Sequence, residues 1–370
     1  MDSTVYVSFV HGYHNDDVLI SRNEIPCLLS IDPDRKNILD TRSLFFPRTP
    51  EDFYSPLISS YIIGSHPKMD ELTSFKKLPR FGLMGLAQDD QFLYAAAWNG
   101  IYKLELSDLS LSGFITHQLI SDPHGICINE GRLYSILTAL DLVVITELAT
   151  GKVLDYFSID RELKISRDKS VEKYDWRFIS KQHRGAVGNW HFNHIEIHNN
   201  KILLTSRLAS CLVEIDLSTL DASLRTICWD TPVMIHDGRI FDNEDIVFTS
   251  VDGKILIANH PDKINSSISS MSNENFHSLM KRDLVNTSIR LGSIIGREIN
   301  WCRGIEDIGS EYITTTDGRY DQDHPYFNIA FINKENKSVK FLKVGYELVD
   351  FPDEIRYMTG FSILKKYRKS

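Results

Sequence analysis

Apolar and polar positions alternate in short runs along most of this chain. In FLYAAAWNGIYKLEL (92–106), RLYSILTALDLVVITEL (132–148), LLTSRLASCLVEID (203–216) and DIVFTSVDGKILIAN (245–259), two runs rich in β-branched or aromatic residues flank a turn of Gly, Asp, Asn or Ser. A period of two, interrupted by turn formers, predicts antiparallel hairpins. Helical periodicity is almost absent, apart from an amphipathic stretch around residues 273–285 that follows Ser and Asn cap candidates.

The hairpins are copies of one unit. VLISRNEIPCLLSID (18–32) aligns with LLTSRLASCLVEID (203–216): each reads apolar run, Ser-Arg, short turn, Cys-Leu, two residues, Ile-Asp. Weaker copies bring the total to six, the last being EYITTTDGRYDQDHPYFNIAFIN (311–333). Ahead of five copies stands another short strand opened by a small motif: MGLAQ (84–88), HGICI (124–128), NHIEI (193–197), DGRIF (237–241) and RGIED (303–307). A fourth strand such as KVLDYFSI or SVKFLKV follows most of them. Four short antiparallel strands, repeated at about 40 residues per unit, are the signature of a β-propeller. The expected fold is all-β, a six-bladed β-propeller with four-stranded antiparallel blades, formed by residues 1–370 as a single domain. A β-sandwich also has short strands and frequent turns, but it gives no reason for a recurring opener. Ring closure should pair the C-terminal MTGFSIL run with VYVSFV or its blade, leaving no exposed edge.

Three stretches break the repeat: 46–80, with Pro47, Pro50, Pro56 and Pro67; the charged 159–190; and 260–299. Insertions of this length in a compact fold usually serve function, so they are candidate lids.

Composition narrows the class without naming a reaction. With 42% hydrophobic and 25% charged residues the chain is of ordinary globular type, and no window approaches the roughly 20 apolar residues that span a bilayer. A net charge of -9 argues against nucleic acid or an anionic membrane as main partner, and a small molecule is the expected ligand. The N-terminus shows no basic region ahead of an apolar run, and the five cysteines form no CxxC pair, so a cytoplasmic location is expected. Cys302, in NWCRG, is the one cysteine beside possible chemistry, and the others read as small core residues.

In a four-stranded blade the start of strand one and the end of strand two lie at the same face. Around the axis this gathers His124, His191, Asn193, His194, His236, Asp237, Trp301 and Arg303 from the openers. Arg22, Trp98, Arg207, Asp317 and Arg319 join them from the ends of strand two. Aligned on the shared small position, Gly125, His194, Gly238 and Gly304 share one slot, and His124, Asn193, Asp237 and Arg303 the slot before it. Strand alternation sends His191 and His194 to opposite faces, one to the axis and the other to a blade interface. His11, His14, His183 and His198 read as loop residues. The acidic loop 316–326 lacks the D-x-D-x-D-G order of a calcium site and reads as a solvated turn.

Three chemistries fit this ring. A divalent metal ion could take imidazoles from His124, His194 or His191, and His236, with Asp237 as an oxygen ligand. A histidine could act as acid, base or nucleophile, oriented by Asp237, while Arg303 and Arg207 hold an anionic group. The ring could also bind a small molecule or peptide without reaction. No GxxxxGK[ST] loop and no GxGxxG opening a helix is present, so no nucleotide cofactor is expected.

The run WHFNHIEIHNNKILLTSRLASCLVEID, followed by MIHDGRIFDNEDIVFTS, resembles the arylsulfotransferase pattern over about 60 residues and two blades. That resemblance implies a transiently sulfated propeller histidine and would implicate His191, Asn193, Arg207 and His236. The chain departs from the periplasmic members in lacking a secretion signal and an N-terminal β-sandwich. From DPHG through WHFNH to NWCRGIED it is also similar to a group of largely uncharacterised bacterial propeller proteins, with an H-x-N opener and a late Arg-Gly opener, which implies a fold and a site but no reaction. The metal-ligand pattern of gluconolactonase-like propellers has no match here.

The combined reading is an enzyme of the lyase or hydrolase type acting at the axis on a small anionic or aromatic metabolite. His236, Asp237, Arg303, His191 and Asn193 are the catalytic candidates. Arg207, Arg22, Trp98, Trp301, Asp317 and Arg319 are the substrate-binding ones, and His124, His194 and His236 the metal set. Arylsulfotransferase-like group transfer and a non-catalytic binding propeller are the alternatives.

Overall fold

The chain is described by a computed structural model, covering residues 4–12, 24–67, 80–160, 163–178, 190–226, 234–241, 246–258, 285–290, 293–294, 297–298, 302–316, 326–345 and 357–366. Six sheets follow one another around a ring, each a meander of four antiparallel strands, with a separate two-stranded ribbon at Ser293–Ile294 and Arg297–Glu298. The protein is a six-bladed β-propeller. The inner strands of blades 2 to 6 are Leu86–Gln88, Pro123–Asn129, Phe192–His198, Ile235–Ile240 and Cys302–Asp307. All five fall on the sequence openers. Blades 2 and 3 each carry a fifth strand, Ile62–Gly64 and Ile165–Ser166, added at the outer edge.

Closure follows the expected pairing. The C-terminal strand Tyr357–Lys365 is the inner strand of blade 1 and pairs along its whole length with Val5–Gly12, from Val5 opposite Lys365 to Gly12 opposite Tyr357. The two ends of the chain thus lock one blade. One detail differs from the repeat alignment. Val5–Gly12, and not the VLIS run, pairs with Glu24–Asp32 as strand two of blade 1, so the first copy keeps only its second half. Residues 13–23, with Ser21 and Arg22, lie outside the described residues. His11 also corrects its loop assignment: it sits fully buried in strand two, with Nε2 2.5 Å from the Pro26 carbonyl and its ring edge-on to Phe9.

Alternation builds the core. In Ile202 and Leu204, Val213 and Ile215, Tyr134 and Ile136, one face of each blade packs against the next blade, which is why the apolar clusters fill the gaps between blades. Cys27, Cys211 and Cys302 are buried in these layers, and burial raises the thiol pKa of Cys27 and Cys211 far out of the reactive range. Cys302 packs with Ile305, Tyr312 and Val247 between blades 5 and 6.

The recurring small residue has a steric cause. A Cβ on Gly125 would stand 2.9 Å from the Ile195 nitrogen and 3.0 Å from the His194 Cα; one on Gly304 would stand 2.8 Å from the Ile363 nitrogen and 2.9 Å from the Ser362 Cα. At Gly125 and Gly304 the inner strand therefore meets its neighbour backbone to backbone, and no larger side chain fits there, whereas blade 4 carries His194 in the same slot. Gly304 also holds φ +60. Gly304→Ala is expected to lower stability by about 2–3 kcal/mol, since strain and backbone clash add, whereas Gly309→Ala, at φ +94 with open space around it, is expected to cost about 1 kcal/mol. Urea midpoints of the two variants check this, and equal losses would refute it.

The described parts of the insertions form a wall beside blades 2 and 3. Phe53 is buried against Phe114 and Phe178, Arg177 donates to the Ser65 carbonyl at 2.7 Å, and Asn99 Nδ2 donates to the Pro47 carbonyl at 2.8 Å. Trp98 belongs to the apolar cluster behind this wall. The expected helix at 273–285 falls mostly outside the described residues. Among the described residues no helix is long and apolar enough to cross a membrane.

Candidate active site

The inner strands of five blades, all but blade 2, carry a ladder irregularity. Pairing skips His124 between Pro123 and Gly125, Asn193 between Phe192 and His194, His236 and Asp237 between Ile235 and Gly238, and Gly304 between Arg303 and Ile305. In blade 1 it skips Phe361, as Ser8 pairs with Ser362 and Phe9 with Gly360. A bulge frees one residue from the ladder and re-aims its side chain. Here it brings His124 and His236 onto freed Phe361, with Arg303 joining them from beside the freed Gly304.

Phe361 is the hub of that ring. The His124 ring meets it edge-on at 5.0 Å, the His236 ring at 5.7 Å, and the Arg303 guanidinium lies over it at 4.9 Å. Met84 and Val10 pack on the same ring. His191 stands 6.0 Å from His124, ring edge to face. His124, His236, Arg303 and His191 are thus brought together from four blades, around an aromatic residue that the sequence reading did not single out.

Two backbone devices set the approach. Asp122 and His191, each two positions ahead of its bulged residue, adopt left-handed φ of 55 and 51. This conformation costs about 1 kcal/mol or more for residues other than glycine, and persists only where the surroundings impose it. Around His191, Asp141 accepts from the Trp190 and Phe192 N–H groups at 2.6 and 3.1 Å, and Thr138 Oγ1 donates to the Phe192 carbonyl at 2.5 Å. The Arg207 N–H bonds to the His191 carbonyl at 3.2 Å, placing Arg207 at the same rim.

Asp237 organises the far side. Its Oδ2 accepts from His236 Nδ1 at 2.8 Å, from the Gly304 N–H at 2.7 Å and from Thr249 Oγ1 at 3.1 Å, and its Oδ1 lies 3.7 Å from His194 Nδ1. Burial opposes ionisation of this carboxyl, but the imidazoles of His236 and His194 and the Gly304 N–H outweigh it and hold the carboxyl at about 2. Burial lowers the pKa of His236 against the pull of Asp237, helped by the Arg303 and Arg207 charges. An ionised Asp237 beside a neutral His236 assigns the imidazole proton to Nδ1 and leaves the lone pair on Nε2. His124 is paired in a similar way, with Nε2 3.2 Å from Asp122 Oδ1.

Below the ring the axis continues as a cavity of about 180 Å³ lined by all six inner strands. His194 lines it together with Glu196 and Arg239. The bulge at Asn193 breaks strict alternation, so His191 and His194 both reach the axis, at two levels, instead of dividing between axis and blade interface. Burial holds His194 at about 4 despite Asp237. Arg239 Nη1 donates to Glu306 at 2.6 Å, Glu306 also accepts from the Lys365 N–H at 3.1 Å, and Glu196 accepts from the Ile240 N–H at 3.1 Å. Burial pushes Glu196 up to about 7, with Arg239 pulling the other way. These groups were missed in the sequence, although NHIEI, DGRIF and RGIED each show a polar residue one or two places past the shared small position.

Among the described residues no three His, Cys, Asp or Glu side chains gather as a metal site requires, so the set His124, His194 and His236 is not assembled. Trp98 is buried behind the wall and does not face the axis cluster. Trp301, Asp317, Arg319 and Arg22 lie outside the described residues.

No family model matches the chain, and no curated protein matches it. Among solved structures it is similar to a chain of the nidogen/laminin complex, with TM-score 0.53 and 8% identity, covering 100% of this chain and 99% of that one. It is similar more loosely to a protein of unknown function from Bacteroides caccae, with TM-score 0.49, 11% identity and 98% and 99% coverage. A third is virginiamycin B lyase from Staphylococcus aureus, with TM-score 0.39, 10% identity and 71% and 70% coverage. At such identity the first likeness supports the fold alone.

Proposed function

We propose that the axial ring is the active site of a lyase or hydrolase for small anionic metabolites, working by acid–base chemistry. The observation that carries this reading is the His236–Asp237 pair, buried and fixed across two blades by the Gly304 N–H and Thr249. An imidazole whose Nδ1 proton is held by an ionised carboxylate presents Nε2 as a base. In a hydrolysis Nε2 takes a proton from the attacking water and returns it to the leaving group. In an elimination it takes the proton from the carbon next to the activating group. Arg303 and Arg207 supply positive charge at the same rim, and the dry setting strengthens their hold on an anion.

Turnover of p-nitrophenyl acetate, sulfate and phosphate by the full chain tests the reading. At least one ester is expected to be cleaved faster than in buffer, and Arg303→Met is expected to raise KM tenfold or more for an anionic ester, the value of a charge-assisted contact of about 1.5–3 kcal/mol. No cleavage of any ester, or an unchanged KM in a folded Arg303→Met protein, would sink it.

A further inference from the structure

Asn193 is fully buried, yet among the described residues neither its Oδ1 nor its Nδ2 has a hydrogen-bond partner. A buried polar group left in this state costs about 1–3 kcal/mol, so it calls for a ligand or an ordered water to complete it, and a position beside the axial ring favours the ligand. Its place in the fold says where that ligand lies. Asn193 is the residue its strand leaves out of the ladder, as His124 and Phe361 are in theirs, and those two rings meet across the axis. The bulge in blade 4 frees Asn193 at the ladder position that matches His124, in the opener slot that Arg303 fills in blade 6.

We infer that Asn193 reads a carboxamide-type group, an N–H beside a C=O as in a primary amide, a lactam or an imide, on a substrate whose anionic end is held by Arg303. The inference rests on the axial-site reading above and names the substrate class for it. An asparagine amide offers an acceptor and a donor side by side, and only a partner with the reverse pair satisfies both. A carboxylate, sulfate or phosphate oxygen satisfies Nδ2 and leaves Oδ1 buried and unpaired. Asn193 therefore selects against pure acceptors at its own position, while the guanidinium favours one at the other end. The absence of a partner among the described residues is itself the selective device, because the amide is already buried before the substrate arrives.

The test compares succinamate with succinate, which have the same chain length and differ in one amide. Calorimetric titration of the wild-type chain is expected to give tenfold or greater preference for succinamate. Asn193→Leu is expected to abolish that preference, and Arg303→Met to weaken both ligands. The Leu variant should also melt no lower than wild type without ligand, since an apolar side chain of similar shape removes an orphaned amide. Equal affinity for the two acids, lost in Arg303→Met, would overturn the role of Asn193 and leave the axial site standing. Binding of neither at tens of millimolar would also overturn it, and the ester assays then decide separately whether the axis is catalytic. A large loss of stability in Asn193→Leu would show that the amide is structural, and would overturn the inference as well.

Discussion

Between pH 7.5 and pH 4.5 the protein is expected to lose about 2 kcal/mol of folding stability, two buried histidines carrying the loss and Glu196 offsetting about half of it. Burial sets the pKa of His11 at about 4, the hydrogen bond with the Pro26 carbonyl opposing it, and burial sets His194 at about 4 against Asp237. An imidazole in the unfolded chain titrates near 6.5. Both folded values lie below the unfolded one, so as pH falls the unfolded chain takes up protons first. The stability is whole above about 6.5 and drains away as pH drops toward 4. Each histidine contributes about 3 kcal/mol at the bottom of that window, by the conversion of roughly 1.4 kcal/mol per unit. Glu196 acts the other way: held at about 7 against 4.5 in the unfolded chain, it takes up its proton in the folded state first and gains about 3 kcal/mol over the same window, offsetting one of the two histidines. His236 acts in the same direction as His11 and His194. Asp237, held at about 2, acts lower, its contribution being present above about 4 and lost toward 2. Urea midpoints from pH 8 to pH 4.5 measure the slope. His11→Gln, which keeps a donor for Pro26 but cannot titrate, should leave the profile nearly flat, since His194 and Glu196 then offset each other. A flat profile in the wild type, or an unchanged slope in the variant, would refute the assignment.

His11 also shows where sequence reading reaches its limit. Blade 1 is assembled from both ends of the chain, so its strand two has no opener before it, and nothing local marks VHG as the end of a buried strand. Phe361 escaped for the same reason. The repeat was legible wherever opener and hairpin follow in sequence, and of the slot occupied by His124, Asn193, Asp237 and Arg303 the first and last pack on Phe361, while blade 5 sends His236, one place earlier. In MTGFSIL, separated from its hairpin by the whole chain, the small residue is Ser362 and the ring residue the phenylalanine before it. Aligning that run on Ser362 would have placed Phe361 beside His124. Parity failed at His191 and His194 because a bulge adds a residue that no alternation pattern displays. The buried network of Glu196, Arg239 and Glu306 needs three strands in register before its members can be seen to meet, and charged residues in a strand read first as a solvated face.

Removing the charge of Asp237 should cripple the axial base while sparing the blades. In Asp237→Asn a carbonyl oxygen can still accept from the Gly304 N–H and from Thr249, so the link between blades 5 and 6 is weakened and not cut. His236 fares worse, because the carboxylate is what holds its proton on Nδ1. A neutral amide lets the ring adopt the other tautomer or turn away, and Nε2 ceases to be a base. Turnover of the best ester is expected to fall about 10²–10⁴-fold, the range set by losing an oriented general base, and His236→Gln should fall as far. The two losses should not add, since the residues act as one unit, and the double variant should match either single one. The nitrogen shifts of the His236 ring give a readout independent of any substrate. The wild type should show a neutral ring protonated at Nδ1 at pH 7, and Asp237→Asn a mixture of tautomers. A ring that keeps its Nδ1 proton and its turnover in Asp237→Asn would leave the carboxylate as a tie between blades, and would move the search for the base to His124 and Asp122 on the other side of Phe361.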